Sequence, residues 1–172
     1  MDLDQLRKHV IQETLTPLQL WSPQAEALLC ATAANETHGG KYIRQSGGGP
    51  GVGIYQMEIK THDALWRQQL SRPARLPLVR PMLQLFGFCR VPSADTMMWH
   101  LGYATFMARF FYLIIPEALP AAEDLKALWS YYKMYWNTEA GKATEQQFYK
   151  NVNDYIYQGK KREKSKNTVI HP

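Results

Sequence analysis

The chain reads as mainly α: a single helical domain around one buried central helix, with a small glycine-rich loop and short-strand region at about 39–58. Three observations carry that reading. Ala25 to Ala34 is apolar almost all round (Ala25, Ala27, Leu28, Leu29, Cys30, Ala31, Ala33, Ala34), and a helix without a polar face has to be surrounded by other elements. Gly39 to Gly53 is rich in glycine, which lets backbone come close to a neighbour. Helix caps and stops then recur at helix-length intervals along the remainder. At 172 residues, with 45% hydrophobic and 12% aromatic content, one globular domain with a sizeable core is the natural count.

Taken in order, Leu3, Leu6, Val10 and Ile11 share one face with Arg7, Lys8 and Glu13 off it. This predicts an amphipathic helix over 2–15, ended by Pro17. Ser22 is suited to accept from the free N–H groups of the next helix, and Pro23 at its first position loses nothing by lacking its own. The buried helix therefore runs from Ser22 to about Thr37, and the glycine segment follows. Thr61 is the expected cap of a helix through His62 to Leu70, with Asp63 near its positive end. Pro73, Pro77, Pro81 and Pro92 leave room only for a short helix over about 81–86. Ser93 is the expected cap of a long helix to about Ile115, stopped by Pro116. A helix over about 121–136 begins behind Pro120, with Glu123 and Asp124 in its first turn. Thr144-Glu145-Gln146-Gln147 has the capping-box pattern and predicts a last helix to about Tyr157.

The formal charge of +5 is uneven. Residues 159–172 carry Lys160, Lys161, Arg162, Lys164 and Lys166 against Glu163, a net +4, leaving +1 for the body. The expected division is a functional domain over 1–158 and a basic C-terminal tail over 159–172; the body does not have the charge of a nucleic-acid binder. The most apolar run, Leu101 to Ile115, contains Arg109 and is too short and too polar to span a bilayer, so no transmembrane segment is expected. Arg109 is expected to pair with a buried carboxylate. Cys30 lies inside the apolar helix, and with Cys89 the only other cysteine no disulfide framework is expected.

Glu36 comes seven residues after Leu29 and three after Ala33, on their core-facing stripe. A carboxyl there is either paired or has its pKa raised by desolvation. The glycine run lacks the Gly-Lys-Ser/Thr that a phosphate loop needs, with no helix opening directly behind it. His38, His62, Glu36 and Glu58 have no spacing that suits a usual zinc site. Neither cofactor nor metal is expected.

Glu36 at the end of a buried helix, twenty residues before Gly53-Ile54-Tyr55-Gln56-Met57, resembles the lysozyme superfamily, most closely goose-type lysozymes and soluble lytic transglycosylases. Ala34-Asn35-Glu36-Thr37 stands where transglycosylases carry Glu-Ser, and Gly53 to Met57 stands for their Gly-Leu-Met-Gln-like turn. Tyr135-Trp136-Asn137-Thr138-Glu139-Ala140-Gly141 is similar to the Tyr-Asn-Ala-Gly segment that closes the sugar cleft, departing from it at Thr138-Glu139. The likeness spans about residues 22–145 and extends to small phage-encoded cell-wall enzymes.

The resemblance implies an α+β lysozyme-like fold and a muramidase or lytic transglycosylase acting on peptidoglycan as a phage endolysin or virion-associated lysin. Glu36 would be the general acid, a carboxyl still protonated near neutral pH. Glu58, two residues after Gln56, matches the position of a water-positioning Asp in goose-type lysozymes, with a reach one methylene longer; transglycosylases have no carboxylate there. Gln56, Tyr55, Gly53, Asn137 and Tyr135 are the implied substrate-binding residues. Tyr131, Tyr132 and Trp129, also near the cleft segment, fit core packing better. The partner would be the bacterial wall, with the chain acting as a monomer, free or in a virion. Met1 to Gln5 lack the pattern of a secretory signal, so the expectation is synthesis in the host cytoplasm and action in the periplasm or wall after release. The alternative is a wall-binding or virion structural module on the same fold that turns nothing over.

Overall fold

The computed structural model describes residues 2–138 and 141–154. The chain opens with α1 (Leu3–Leu6), a π-helical stretch Arg7–Gln12 and a further turn, α2 (Glu13–Leu15). The Asp2 carboxylate caps it, accepting from the Asp4 N–H at 2.8 Å. The amphipathic helix expected over 2–15 is thus present but not uniform, and the reason is register. Leu6 and Ile11 are both fully buried. Five residues apart, they fall off a common face in an α-helix, and the wider i→i+5 turn brings them back into line.

The central helix is α3 (Pro23–Thr37). The Ser22 hydroxyl accepts from the Ala25 N–H at 3.1 Å and Pro23 occupies the first turn, as the sequence predicts. Leu28, Leu29, Ala31, Ala33 and Ala34 expose nothing. The helix stops on His38 in the left-handed region (φ 52°, ψ 46°). At the end of the glycine run, β1 (Gly51–Val52) pairs antiparallel with β2 (Met57–Glu58), with Gly51 opposite Glu58 and Val52 opposite Met57. Arg44 bridges to Val52 from the outer side. This ladder lies within the 39–58 region expected for short strands.

Several boundaries differ from expectation. α4 (Ile59–Leu65), extended by a π stretch Trp66–Leu70, starts before Thr61. The strand runs straight into it, and the Ile59 N–H goes to the Pro50 carbonyl at 3.4 Å, so no side-chain cap is called for there. α5 (Leu76–Leu85) runs through Pro81 instead of starting from it. Pro77 falls in the first turn, where no N–H is needed, and Pro81 forfeits only the bond to the Pro77 carbonyl. Both prolines are exposed, so water can serve that carbonyl.

Ser93 opens a 3₁₀ stretch, Ala94–Met98, and not the long helix. After a break at 99–100 comes α6 (Leu101–Leu113), capped by the His100 ring, whose Nδ1 accepts from the Tyr103 N–H at 3.0 Å. Tyr103, Phe106, Met107, Ala108 and Phe110 make α6 the second core helix. Among the described residues Arg109 pairs with no buried carboxylate. Its Nε donates to the Leu20 carbonyl at 3.0 Å and its Nη1 is buried without a hydrogen-bond partner among the described residues, and burial pulls its pKa below the usual arginine value.

α7 (Leu125–Tyr131) starts later than Ala121 because Asp124 is the cap and not a first-turn residue, its carboxylate accepting from the Ala127 N–H at 2.9 Å. A π stretch, Tyr132–Asn137, extends it. α8 (Glu145–Val152) is opened by Thr144, whose hydroxyl accepts from the Gln147 N–H at 3.3 Å. The reciprocal half of the box is replaced, since Gln147 Nε2 donates to Asn151 Oδ1 at 2.7 Å. The continuation to Tyr157 and the basic tail 159–172 lie outside the described residues. No helix among the described residues is long and apolar enough to cross a membrane.

Candidate active site

Glu36 is the penultimate residue of α3, largely withdrawn from water. The Tyr132 hydroxyl donates to Glu36 Oε1 at 2.7 Å. Burial raises the Glu36 pKa from 4.5 to about 7, and the Tyr132 hydrogen bond, which favours the carboxylate, offsets part of that rise. Tyr132 is itself buried, as expected for a core residue. It opens the π stretch, whose five-residue spacing carries Asn137 round to the same side. Behind the acid, Asn151 Nδ2 of α8 donates to Asn35 Oδ1 at 3.0 Å, and Asn35 Nδ2 donates to the Ala31 carbonyl at 2.8 Å. The last helix is thereby fastened to the last turn of α3.

Thr37 connects the acid to the Gln56 turn. Its fully buried hydroxyl donates to the Ile54 carbonyl at 2.8 Å and accepts from the Gly40 N–H at 2.9 Å. The turn closes with the Gln56 N–H and the Gln56 Nε2 both donating to the Gly53 carbonyl, at 3.1 and 2.7 Å. Gln56 sits at φ 50°, a conformation that costs a non-glycine residue and is held by its surroundings. Gly53 has φ 74°, and a Cβ there would stand 2.5 Å from the Met97 carbonyl oxygen. Glycine at 53 is therefore required twice, by the turn and by the close approach of the 94–98 segment.

Glu36, Gln56, Glu58, Tyr135 and Asn137 line one open cleft of about 800 Å³, with Gln45, Phe111 and Trp136 also on its walls. Glu58 is paired with Lys60 at 2.8 Å. Asn137 Oδ1 accepts from Lys133 Nζ at 2.8 Å, and the same ammonium donates to the Gly141 carbonyl at 2.8 Å. Lys133 thus ties Asn137 to Gly141 within the segment expected to close the cleft. A smaller hollow of about 410 Å³ shares Lys60 and Thr61 with the cleft and has no other ionisable group on its lining. Below α4, His62 is buried with Nε2 at 2.7 Å from the Tyr103 hydroxyl and Nδ1 at 2.9 Å from Asp63. The Trp66 N–H donates to that hydroxyl at 2.8 Å, so Tyr103 donates onward to His62 and the imidazole pins α4 to α6.

Two residues named from the sequence stand elsewhere. Tyr55 is 1% exposed, its hydroxyl 3.1 Å from Thr105 Oγ1 inside the core. It supports the turn from behind and offers nothing to a ligand. Gly53 is also outside the cleft lining and contributes its carbonyl to Gln56. Four residues were not legible as site residues: Tyr132 as the partner of the acid, Thr37 as the clamp, Lys133 as the tie, and Gln45 on the cleft wall. Only Thr37 had a signal, its position beside Glu36. Comparison with known proteins found no matching family model, no matching curated protein and no matching solved structure.

Proposed function

We propose that the protein is a peptidoglycan glycosidase cleaving the β-1,4 bond between N-acetylmuramic acid and N-acetylglucosamine. The reading is carried by one observation: a carboxyl whose pKa burial raises to about 7, opening on a cleft that also holds the Gln56 turn and a second carboxylate, Glu58. Protonated near neutrality, Glu36 gives its proton to the departing glycosidic oxygen. Glu58 takes a proton from the attacking water, and the product is an ordinary reducing muramic acid. The chemistry is acid–base throughout and uses no cofactor. The chain works as a monomer on the wall, as a phage endolysin or a lysin carried in the virion, made in the host cytoplasm. A wall-binding module that turns nothing over would have no use for a carboxyl kept protonated near pH 7.

The test is clearing of purified wall suspensions by the wild type and Glu36→Gln, with mass spectrometry of the digest. We expect clearing, reducing ends, and a loss of about 10²–10⁴-fold in the variant. No clearing of any wall type would favour the non-catalytic module. Anhydro ends, lighter by one water, with Glu58→Gln still active, would leave Glu36 in place and make the chain a transglycosylase.

A further inference from the structure

The glycine run is only partly explained by backbone freedom. Gly49 has φ −64° and ψ 165°, a conformation open to any residue. A side chain at 49 would instead meet the Gln45 carboxamide, its Cβ 2.2 Å from Gln45 Oε1 and 2.3 Å from Cδ. Gly51 borders the same group: a Cβ there would lie 3.0 Å from the Gln56 carbonyl oxygen and 3.2 Å from both Gln45 Oε1 and Gln56 Cβ. The Gln45 side chain fills a seat that the glycines leave open, and Gly51 touches both glutamines. Both line the cleft with Glu36.

Their internal hydrogen bonds fix which end of each amide is left over. Gln45 Oε1 accepts from the Gly51 N–H at 3.1 Å. A backbone N–H only donates, so the amide oxygen faces it and the NH₂ is free for a ligand. Gln56 is reversed: its NH₂ donates to the Gly53 carbonyl at 2.7 Å, leaving Oε1 as the acceptor. The cleft therefore carries a donor on one glutamine and an acceptor on the other, both residues bordering Gly51, which is the chemistry that a secondary amide complements.

We propose that Gln45 and Gln56 form a recognition pair for the acetamido group of a substrate sugar. Gln45 donates to the acetamido carbonyl, Gln56 accepts from its N–H, and residues 49 and 51 are glycine in order to seat Gln45. The choice of an acetamido sugar over another secondary amide rests on the glycosidase reading. The pairing itself needs no turnover.

The experiment titrates the full chain with the N-acetylglucosamine hexamer and with the glucose hexamer, which is equally neutral but has no acetamido group. We expect wild type to favour the acetylated hexamer by at least about tenfold, the worth of one or two neutral hydrogen bonds. Gln45→Met, which keeps length without the donor, and Gly49→Ala, which displaces the carboxamide, should each remove most of that preference. Glu36→Gln should retain it, and all melting temperatures should stay close to wild type. If wild type cleaves wall while both variants keep the preference, the pair is overturned and the glycosidase stands. If wild type does not cleave but its preference vanishes in Gln45→Met, the pair stands and the glycosidase falls. A loss seen only with peptide-bearing wall fragments, with hexamer binding unchanged, would give the pair to a peptide amide and overturn the proposal.

Discussion

α3 carries one carboxyl near each end, and the fold treats them oppositely. Glu26, in the first turn, receives Gln12 Nε2 and Trp21 Nε1, both at 2.7 Å, with Arg7 Nε at 3.7 Å. It also sits at the positive end of the helix. Glu36, in the last turn, receives the Tyr132 hydroxyl as its one hydrogen bond among the described residues, and the carbonyl end of the helix disfavours its negative charge. Both side chains are largely withdrawn from water; they differ in the number of donors that reach them and in the end of the helix they occupy. Glu26, reached by these donors, is a structural tie between the Arg7–Gln12 stretch, the chain before α3, and α3. Glu36, with few donors, holds its proton to about pH 7, which is what a general acid needs.

The largest break in that comparison is Glu36→Gln, which should cost nearly all activity while stabilising the fold at high pH. Below about pH 4.5 the carboxyl is neutral in both folded and unfolded chains and costs nothing. Between 4.5 and 7 the folded protein holds a proton that the unfolded chain has released, so stability falls as pH rises. Above pH 7 the cost reaches up to roughly 3 kcal/mol. Melting curves at pH 4 and pH 8 should show the variant level with wild type at the lower pH and more stable at the higher. Equal melting temperatures at both would show that Glu36 ionises freely.

Glu26→Ala should do the reverse. Removing a shared acceptor of two donors should cost about 2 kcal/mol in denaturant unfolding and leave the rate on wall within about twofold of wild type. A large rate loss without destabilisation would mean that this end of α3 also serves the chemistry. Thr37→Val strands the Ile54 carbonyl and the Gly40 N–H, a cost of about 1–2 kcal/mol, and loosens the Gln56 turn relative to the acid. Steady-state kinetics should show a fall in kcat that Thr37→Ser restores.

The smallest expected effect is the most specific. The Tyr132 hydrogen bond lowers the Glu36 pKa, so Tyr132→Phe should raise it further and move the alkaline limb of the pH–rate profile upward. A downward shift would mean that the phenol mainly excludes water, and that its loss lets the carboxyl hydrate.

The sequence by itself determined the central helix and its place. An all-apolar face, a Ser-Pro start and a glycine-rich exit are local facts, and they put Glu36 at a desolvated helix end without knowledge of any neighbour. Local chemistry also marked the Thr144 cap and a short-strand region within about 39–58. It failed where another group had taken the expected role: the Pro50 carbonyl on the Ile59 N–H in place of a Thr61 cap, and the ring of His100, directly before α6, in place of Ser93. The π stretches were hidden for a related reason. Their register is set by which side chains must reach the core or the cleft, as with Tyr132 and Asn137, and helix periodicity alone cannot signal it. Tyr55 shows the same limit from the other side, since the turn motif suggested a ligand contact and packing against Thr105 turned the hydroxyl inward. Tyr132 lies ninety-six residues from Glu36, and no pattern in the chain joins them. Their contact exists because α3 and the α7 extension are packed together, and that packing sets the proton affinity on which the proposed chemistry depends.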